Sequence, residues 1–170
     1  VVREAPVPVV VVPPAHGEAG DWAPRRIVVP LDGSAAAGEI VPLLRELGLA
    51  SDDSELVFVQ AVETRTLLAV EAGAALVDET ALDAECAAAR DALAAVATTL
   101  PGARATVRAL PGRAADVVLQ VAADVRASLV AMTTRGHGGV RRLALGSTAD
   151  AIVRRSAVPV LLVAPRARGG

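Results

Sequence analysis

Thr133-Thr134-Arg135-Gly136-His137-Gly138-Gly139-Val140-Arg141-Arg142-Leu143-Ala144-Leu145-Gly146-Ser147-Thr148 is the stretch that decides how this chain is read. It follows a short apolar run, Ser128 to Met132, whose length and composition fit a buried strand. It precedes Ser147 to Ser156, which reads as a helix with Ser147 as its N-cap, Asp150 in the first turn and Arg154-Arg155 near the end. Those charges complement the helix dipole. A glycine-rich crossing from a strand's carboxyl end to a helix amino end suits an anion, because glycines let the backbone approach and helix N–H groups favour negative charge. The stretch lacks the Gly-Lys-[Ser/Thr] of a Walker loop, and it does not follow the first strand as a dinucleotide fingerprint would.

Working outward, strands and helices alternate. Arg26-Ile27-Val28-Val29-Pro30-Leu31 is a strand running into Asp32-Gly33-Ser34, and one helix is expected from there to Gly48. Pro42 complicates that helix, since proline is tolerated in a first turn and disruptive further in. Glu55 to Ala61 is the next strand, and residues 62 to 80 are ambiguous. Ala81 to Leu100 is the longest helix, stopped by Pro101-Gly102. Ala105 to Leu110 is a strand, and Arg113 to Val125 an amphipathic helix. Ala114, Val117, Val118, Val121 and Val125 lie on one face of it, with Asp116, Gln120 and Asp124 on the other. Val158 to Val163 is the last strand. The alternation implies an α/β fold, with a parallel sheet, helices on both faces and right-handed crossovers.

Composition narrows the function. The chain of 170 residues is long enough for one domain plus some extra sequence, and 53% hydrophobic residues support a substantial core. A net charge of −2 argues against generic binding to nucleic acid or a membrane surface. Aromatic residues are only Trp22 and Phe58, too few for stacking single-stranded bases. Every basic residue is arginine, which removes lysine-based catalysis. The lone cysteine, Cys86, rules out an internal disulfide framework and a cysteine-based zinc site, and it reads as a small helix residue. No apolar run reaches the ~18–20 residues that span a bilayer, and the apolar start lacks a cationic region. A cytoplasmic location is the expectation.

The two ends of the chain resemble each other. Val1-Val2-Arg3-Glu4-Ala5-Pro6-Val7-Pro8-Val9-Val10-Val11-Val12-Pro13-Pro14 aligns with Ile152-Val153-Arg154-Arg155-Ser156-Ala157-Val158-Pro159-Val160-Leu161-Leu162-Val163-Ala164-Pro165. Identities include Arg3/Arg154, Val7/Val158, Pro8/Pro159, Val9/Val160 and Val12/Val163. Residues 1–14 therefore read as the last strand of a preceding copy of the same domain, 15–24 as a linker, 25–166 as the domain itself and 167–170 as a tail. The start without methionine fits a fragment or a processed chain. Val7 to Val12 is expected to pair antiparallel with Val158 to Val163, in cis or across a dimer, covering a sheet edge that would otherwise be an aggregation liability.

Open α/β sheets bind ligands outside the strand carboxyl ends, where strand order reverses. If the first and fourth strands of the domain are central neighbours, Pro30-Leu31-Asp32-Gly33-Ser34 faces the glycine loop. Asp32 would accept hydrogen bonds from ribose hydroxyls or an adenine amine. The N–H groups of Gly136, Gly146, Ser147 and Thr148 would hold phosphates, with the hydroxyls assisting. Each residue has a plainer reading. Asp32 also suits an Asx turn at a helix start. Ser147 caps a helix under either reading. Arg135, Arg141 and Arg142 would neutralise phosphate or form a solvated loop face. His137 has no second histidine or paired carboxylate nearby in sequence to suggest acid–base catalysis.

These motifs together resemble the universal stress protein family over roughly Arg25 to Pro165. That family ends its first strand in Pro-x-Asp-x-Ser, here Pro30 to Ser34. It carries Gly-x2-Gly-x9-Gly-[Ser/Thr] after its fourth strand, of which Gly136 and Gly146-Ser147 keep the second part. It closes on a Val-Pro-Val strand, here Val158 to Val163. The resemblance implies an open five-stranded parallel sheet of order 3-2-1-4-5, as in the adenine nucleotide alpha hydrolase-like fold. It implies pairing of like domains through their last strands, as a homodimer or within a tandem chain. It also implies ATP binding in one branch, with Mg accompanying ATP, or cyclic AMP as an alternative. Carried over residue by residue, the adenine-nucleotide site would be Pro30, Asp32, Ala61, Met132, Thr133, Gly136, Gly146, Ser147 and Thr148. The sequence departs from the pattern at two places. Thr133 stands where the motif has its first glycine, and Gln60 stands where the second strand often carries a histidine before an apolar residue; Ala61 then takes the position that would border adenine. The expectation is a nucleotide-binding stress-response regulator that is not an enzyme; the alternative is an interaction module that binds no nucleotide.

Overall fold

The computed structural model describes residues 7–14, 23–63, 79–134 and 145–164. Within them the elements run β1 (Val9–Val11), β2 (Arg26–Pro30), α1 (Ala35–Gly38), α2 (Ile40–Glu46), β3 (Glu55–Val62) and α3 (Glu79–Ala97). There follow β4 (Arg104–Pro111), α4 (Ala114–Asp124), β5 (Leu129–Thr133), α5 (Ser147–Arg155) and β6 (Val160–Val163). The ambiguous stretch after β3 lies, for residues 64–78, outside the described residues.

Strands β2, β3, β5 and β6 are near-continuous apolar runs, as expected of parallel strands covered on both faces. Their residues alternate between two cores, because successive strand side chains point to opposite sides. Ile27, Val29, Leu31, Phe58 and Ala131 meet Ala37, Ile40 and Leu44 of α1–α2 and Leu93 of α3. Val28, Val59, Val130 and Met132 meet Val117, Val118 and Val121 of α4, and Ala149 and Ile152 of α5. The arrangement is the α/β one expected from the sequence, with helices on both faces.

The sheet order is β1-β6-β5-β2-β3-β4. Its five parallel strands, β2 to β6, have the expected order. The correction is a sixth strand. Val9, Val10 and Val11 pair antiparallel with Leu162, Leu161 and Val160, so the expected pairing of the N-terminal segment with the last strand occurs within the chain.

Two local expectations are also corrected. The helix after Asp32 is two helices that meet at Gly38 and Glu39. That junction puts Pro42 in the first turn of α2, where its missing N–H costs nothing. Gly48, at φ +69°, then ends α2 in the left-handed conformation that glycine adopts without a Cβ penalty. The last helix does begin at Ser147, but its N-cap is Gly146 and no side chain caps it.

Surface ion pairs tie elements together. Arg155 Nη1 lies 2.6 Å from Asp116 Oδ1, joining α5 to α4. Within α5, Arg154 bonds Asp150 through two nitrogens, and that hydrogen bond raises the arginine's already high pKa. At the amino end of the sheet Arg26 bonds Glu55 of the neighbouring strand. Such exposed pairs contribute little to stability, because solvent screens them. Among the described residues no helix is long and apolar enough to cross a membrane.

Candidate functional site

The chain runs outward from β2 through β3 to β4, then returns to start β5 on the opposite side of β2. Strand order therefore reverses between β2 and β5, and a crevice opens beyond their carboxyl ends. The parallel register Ile27↔Leu129 and Val28↔Val130 brings Pro30 level with Met132 when extended by two residues. On the other side Pro30 pairs with Val59. Ala61 thus lies two residues further along β3, flanking Pro30 and Asp32. Ala61 and Met132 pack into the same core, on the α4–α5 side of the sheet.

The β2 side of the crevice is built by side chains. Leu31 N donates to Val59 O at 2.9 Å, which extends the sheet ladder past Pro30. Asp32 is exposed, and its Oδ1 accepts from Ser34 N at 2.9 Å. Ser34 Oγ in turn accepts from Ala37 N at 3.0 Å, capping α1. The Asx-turn reading of Asp32 is thus present in the structure.

The β5 side is built by backbone. Thr133 pairs with Val163 across the sheet. Thr134 N donates to Val163 O at 2.8 Å, and Thr134 O accepts from Gly146 N at 2.9 Å. The last residue before the glycine loop and the first after it are therefore bonded to each other. This corrects the expectation for Gly146: its amide is committed to Thr134. Gly146 O accepts from Asp150 N at 2.9 Å, starting the helical ladder. Ser147, Thr148 and Ala149 supply the first-turn amides, which have no partner within a helix. Ser147 is exposed and Thr148 half-buried, and they open the helix that follows the carboxyl end of β5.

Thr133 is 4% exposed. Ala131 faces the α1–α2 core and Met132 the α4–α5 core. Strand alternation then turns the Thr133 side chain to the α1 side, where a glycine would leave space. Gly136, Arg135, His137, Arg141 and Arg142 lie outside the described residues. The structure thus brings together Pro30, Asp32, Ala61, Met132 and Thr133, with Gly146, Ser147 and Thr148 opening the helix after the loop. Sequence reading missed Thr134 as the clasp of the loop. The signal for it was a second threonine at a strand end, where a buried peptide group needs partners on both sides.

No group of three or more His, Cys, Asp or Glu gathers among the described residues. Cys86 packs with Val62, Ala89 and Ala109, and burial pushes its thiol pKa up.

Comparison with known proteins fits this geometry. Residues 24–164 match the universal stress protein family. A Thermus aquaticus protein described as a universal stress protein in the QAH/OAS sulfhydrylase 3′ region is 46% identical over 54 residues, 32% of this chain and 39% of that one. The match therefore spans well under half of that relative. Hypothetical protein MJ0577, a test case for assigning biochemical function from structure, superposes with a TM-score of 0.71 at 18% identity, over 85% of this chain and 98% of that one. A universal stress protein in complex with cAMP gives 0.58 at 21% identity, over 85% and 99%. A universal stress protein from Archaeoglobus fulgidus gives 0.60 at 22% identity, over 96% of this chain and 52% of that longer one. The family match covers the five parallel strands, both helical layers and both sides of the crevice, and this chain belongs to the universal stress protein family.

Proposed function

We propose that the chain binds an adenine nucleotide in the crevice between β2 and β5, as a stress-response regulator rather than an enzyme. The observation that carries this is the pairing of an acceptor with donors at the strand-order reversal. Asp32 is an exposed carboxylate on one side, and the opening turn of α5 presents backbone N–H groups on the other. A carboxylate suits ribose hydroxyls or an adenine amine, and helix amides suit phosphate. Ala61 and Met132 supply an apolar bed for the base. The solved relative in complex with cAMP supports the nucleotide class.

ATP fits the donor set through its phosphates, with Ser147 and Thr148 hydroxyls beside the amides. Mg would accompany the phosphates as part of the ligand. Cyclic AMP needs fewer donors and is the alternative. Calorimetry of the chain with ATP and magnesium, and separately with cyclic AMP, tests the reading. Saturable heat is expected, and Asp32→Ala should weaken binding about tenfold or more, since a hydrogen bond to a charged group contributes about 1.5–3 kcal/mol. No heat with either ligand, and no nucleotide carried through gentle purification, would overturn it.

Thr133 favours a second reading, an interaction module that binds no nucleotide. Its buried, β-branched side chain fills the α1 side of the crevice where the family motif has glycine. Thr133→Gly separates the readings. If the wild-type chain gives no heat and the glycine variant binds ATP, Thr133 closes the site; if neither binds, the interaction module stands.

A further inference from the structure

The two edges of the sheet differ. At one, β1 covers β6 with three apolar residues of the same chain. At the other, β4 runs for eight residues beside β3 and has no second neighbour among the described residues. An open strand edge offers a row of backbone donors and acceptors to an extended chain. Which groups β4 offers follows from one bond. Gly112 N donates to Val62 O at 3.2 Å, continuing the β3–β4 ladder past Pro111. Along a strand the backbone groups of successive residues point to opposite sides. Counting back from Gly112, Leu110, Arg108 and Thr106 turn theirs to β3, and Ala109, Val107 and Ala105 turn theirs outward.

Side chains alternate between the two faces in the same step. Ala105 and Val107 pack against the α1–α2 core, and Ala109 packs with Cys86 and Ala89 of α3. The other face reaches the α4–α5 core only at Leu110, and its Arg104, Thr106 and Arg108 are exposed. That bare face is cationic. Across the ladder Arg104 stands beside Glu55, and Arg108 beside Val59. Glu55 gives its carboxylate to Arg26 of β2 at 2.8 Å. Among the described residues neither Arg104 nor Arg108 forms an ion pair. Carboxylates at alternate positions of an added strand would meet both, and opposite charges paired across strands are stabilising. A second copy of β4 is a poor occupant. Paired antiparallel about Thr106, it would set the arginines of one copy against those of the other, and like charges directly opposite are destabilising.

We propose that the β4 edge takes an extended acidic segment of another protein as an added strand. Its main chain would bond the outward groups of Ala105, Val107 and Ala109, and its carboxylates would sit against Arg104 and Arg108. Strand addition of this kind draws affinity from main-chain hydrogen bonds and specificity from alternate side chains. β3 separates this edge from the β2–β5 crevice, and the inference does not depend on nucleotide binding.

The test uses the full chain and a fluorescein-labelled peptide, matched to the eight residues of β4, that alternates glutamate with valine. Its counterpart alternates lysine with valine. By fluorescence anisotropy at low salt, where charge is least screened, the glutamate peptide is expected to bind saturably and the lysine peptide not to bind. Arg104→Glu/Arg108→Glu should lose the glutamate peptide and gain the lysine peptide, an exchange that loss of fold cannot produce. Amide hydrogen exchange by NMR locates the bound peptide. In the free chain Thr106 and Arg108 should exchange slowly, and Ala105 and Val107 fast. The glutamate peptide should slow Ala105 and Val107 about tenfold or more. No saturable binding, equal binding of the two peptides, a preference unchanged by the charge reversal, or protection confined to other amides would overturn the proposal. So would slow Ala105 and Val107 amides in a free chain whose mass by light scattering is twice 17.2 kDa, since a second copy would then hold the edge.

Discussion

The two crossings from sheet to helix beside the crevice solve one problem in opposite ways. From β2 to α1 the chain turns within four residues, and side chains do the work: Asp32 bonds the Ser34 amide and Ser34 caps α1. From β5 to α5 the turn is long, and backbone does the work: Thr134 bonds Gly146, and no side chain caps the helix. The first crossing is satisfied internally and leaves a carboxylate on the surface. The second opens its helix at Gly146, whose lack of a side chain leaves the first-turn amides without a cap from that residue. One side of the crevice therefore supplies an acceptor and the other helix amides, the pairing on which the proposed nucleotide site rests.

The largest break in this comparison comes from the core under α5. Ile152 is fully buried against the sheet, so Ile152→Ala should lower unfolding stability by about 2–5 kcal/mol. Ile40→Ala under α2 should cost a similar amount. Denaturant titration measures both. If Ile152→Ala costs under 1 kcal/mol, α5 is not seated as described. A sharper contrast comes from the two serines. Ser34→Ala removes a cap and should cost about 1 kcal/mol. Ser147→Ala removes none and should stay within about 0.5 kcal/mol, as surface substitutions do. Equal losses would mean that Ser147 caps α5 after all.

Asp32→Asn keeps an acceptor for the Ser34 amide while removing the charge. Thermal unfolding should hardly change, and nucleotide affinity should fall if the carboxylate meets the ligand. The smallest effect concerns Cys86. Its folded pKa is raised by burial, so the folded state favours the neutral thiol. Stability attributable to it is intact below the ordinary thiol pKa of about 8.5 and declines as pH rises through the higher folded value. Unfolding measured from pH 7 to 10 should show a decline that Cys86→Ala removes. Alkylation of Cys86 should be slow in the native chain and fast in denaturant.

Much of the fold is legible in the sequence because its signals are local. The runs Ile27 to Val29, Leu56 to Val59 and Leu129 to Met132 are apolar throughout, which buried parallel strands demand. The face of α4 that packs, Val117, Val118 and Val121, follows from a period of 3.6 residues. Helix caps were legible only in part. Ser34 and Ser147 look alike in sequence, each beginning a helix after a glycine. Which one caps depends on where the preceding backbone enters, and at Ser147 that entry is set by the bond from Gly146 to Thr134.

The sequence by itself determined the alternation of strands and helices, the family motifs at Pro30–Ser34 and Gly136–Ser147, and the likeness of the two chain ends. Those follow from side-chain period, backbone freedom and repetition, which are read along the chain. Only the tertiary structure decided that the N-terminal strand folds back onto β6 within the chain, that the Gly146 amide is spent on Thr134, and that Thr133 is buried at the crevice. These depend on which donor meets which acceptor, and on which surfaces exclude water. Both are settled between residues far apart in sequence, by packing that no local pattern records.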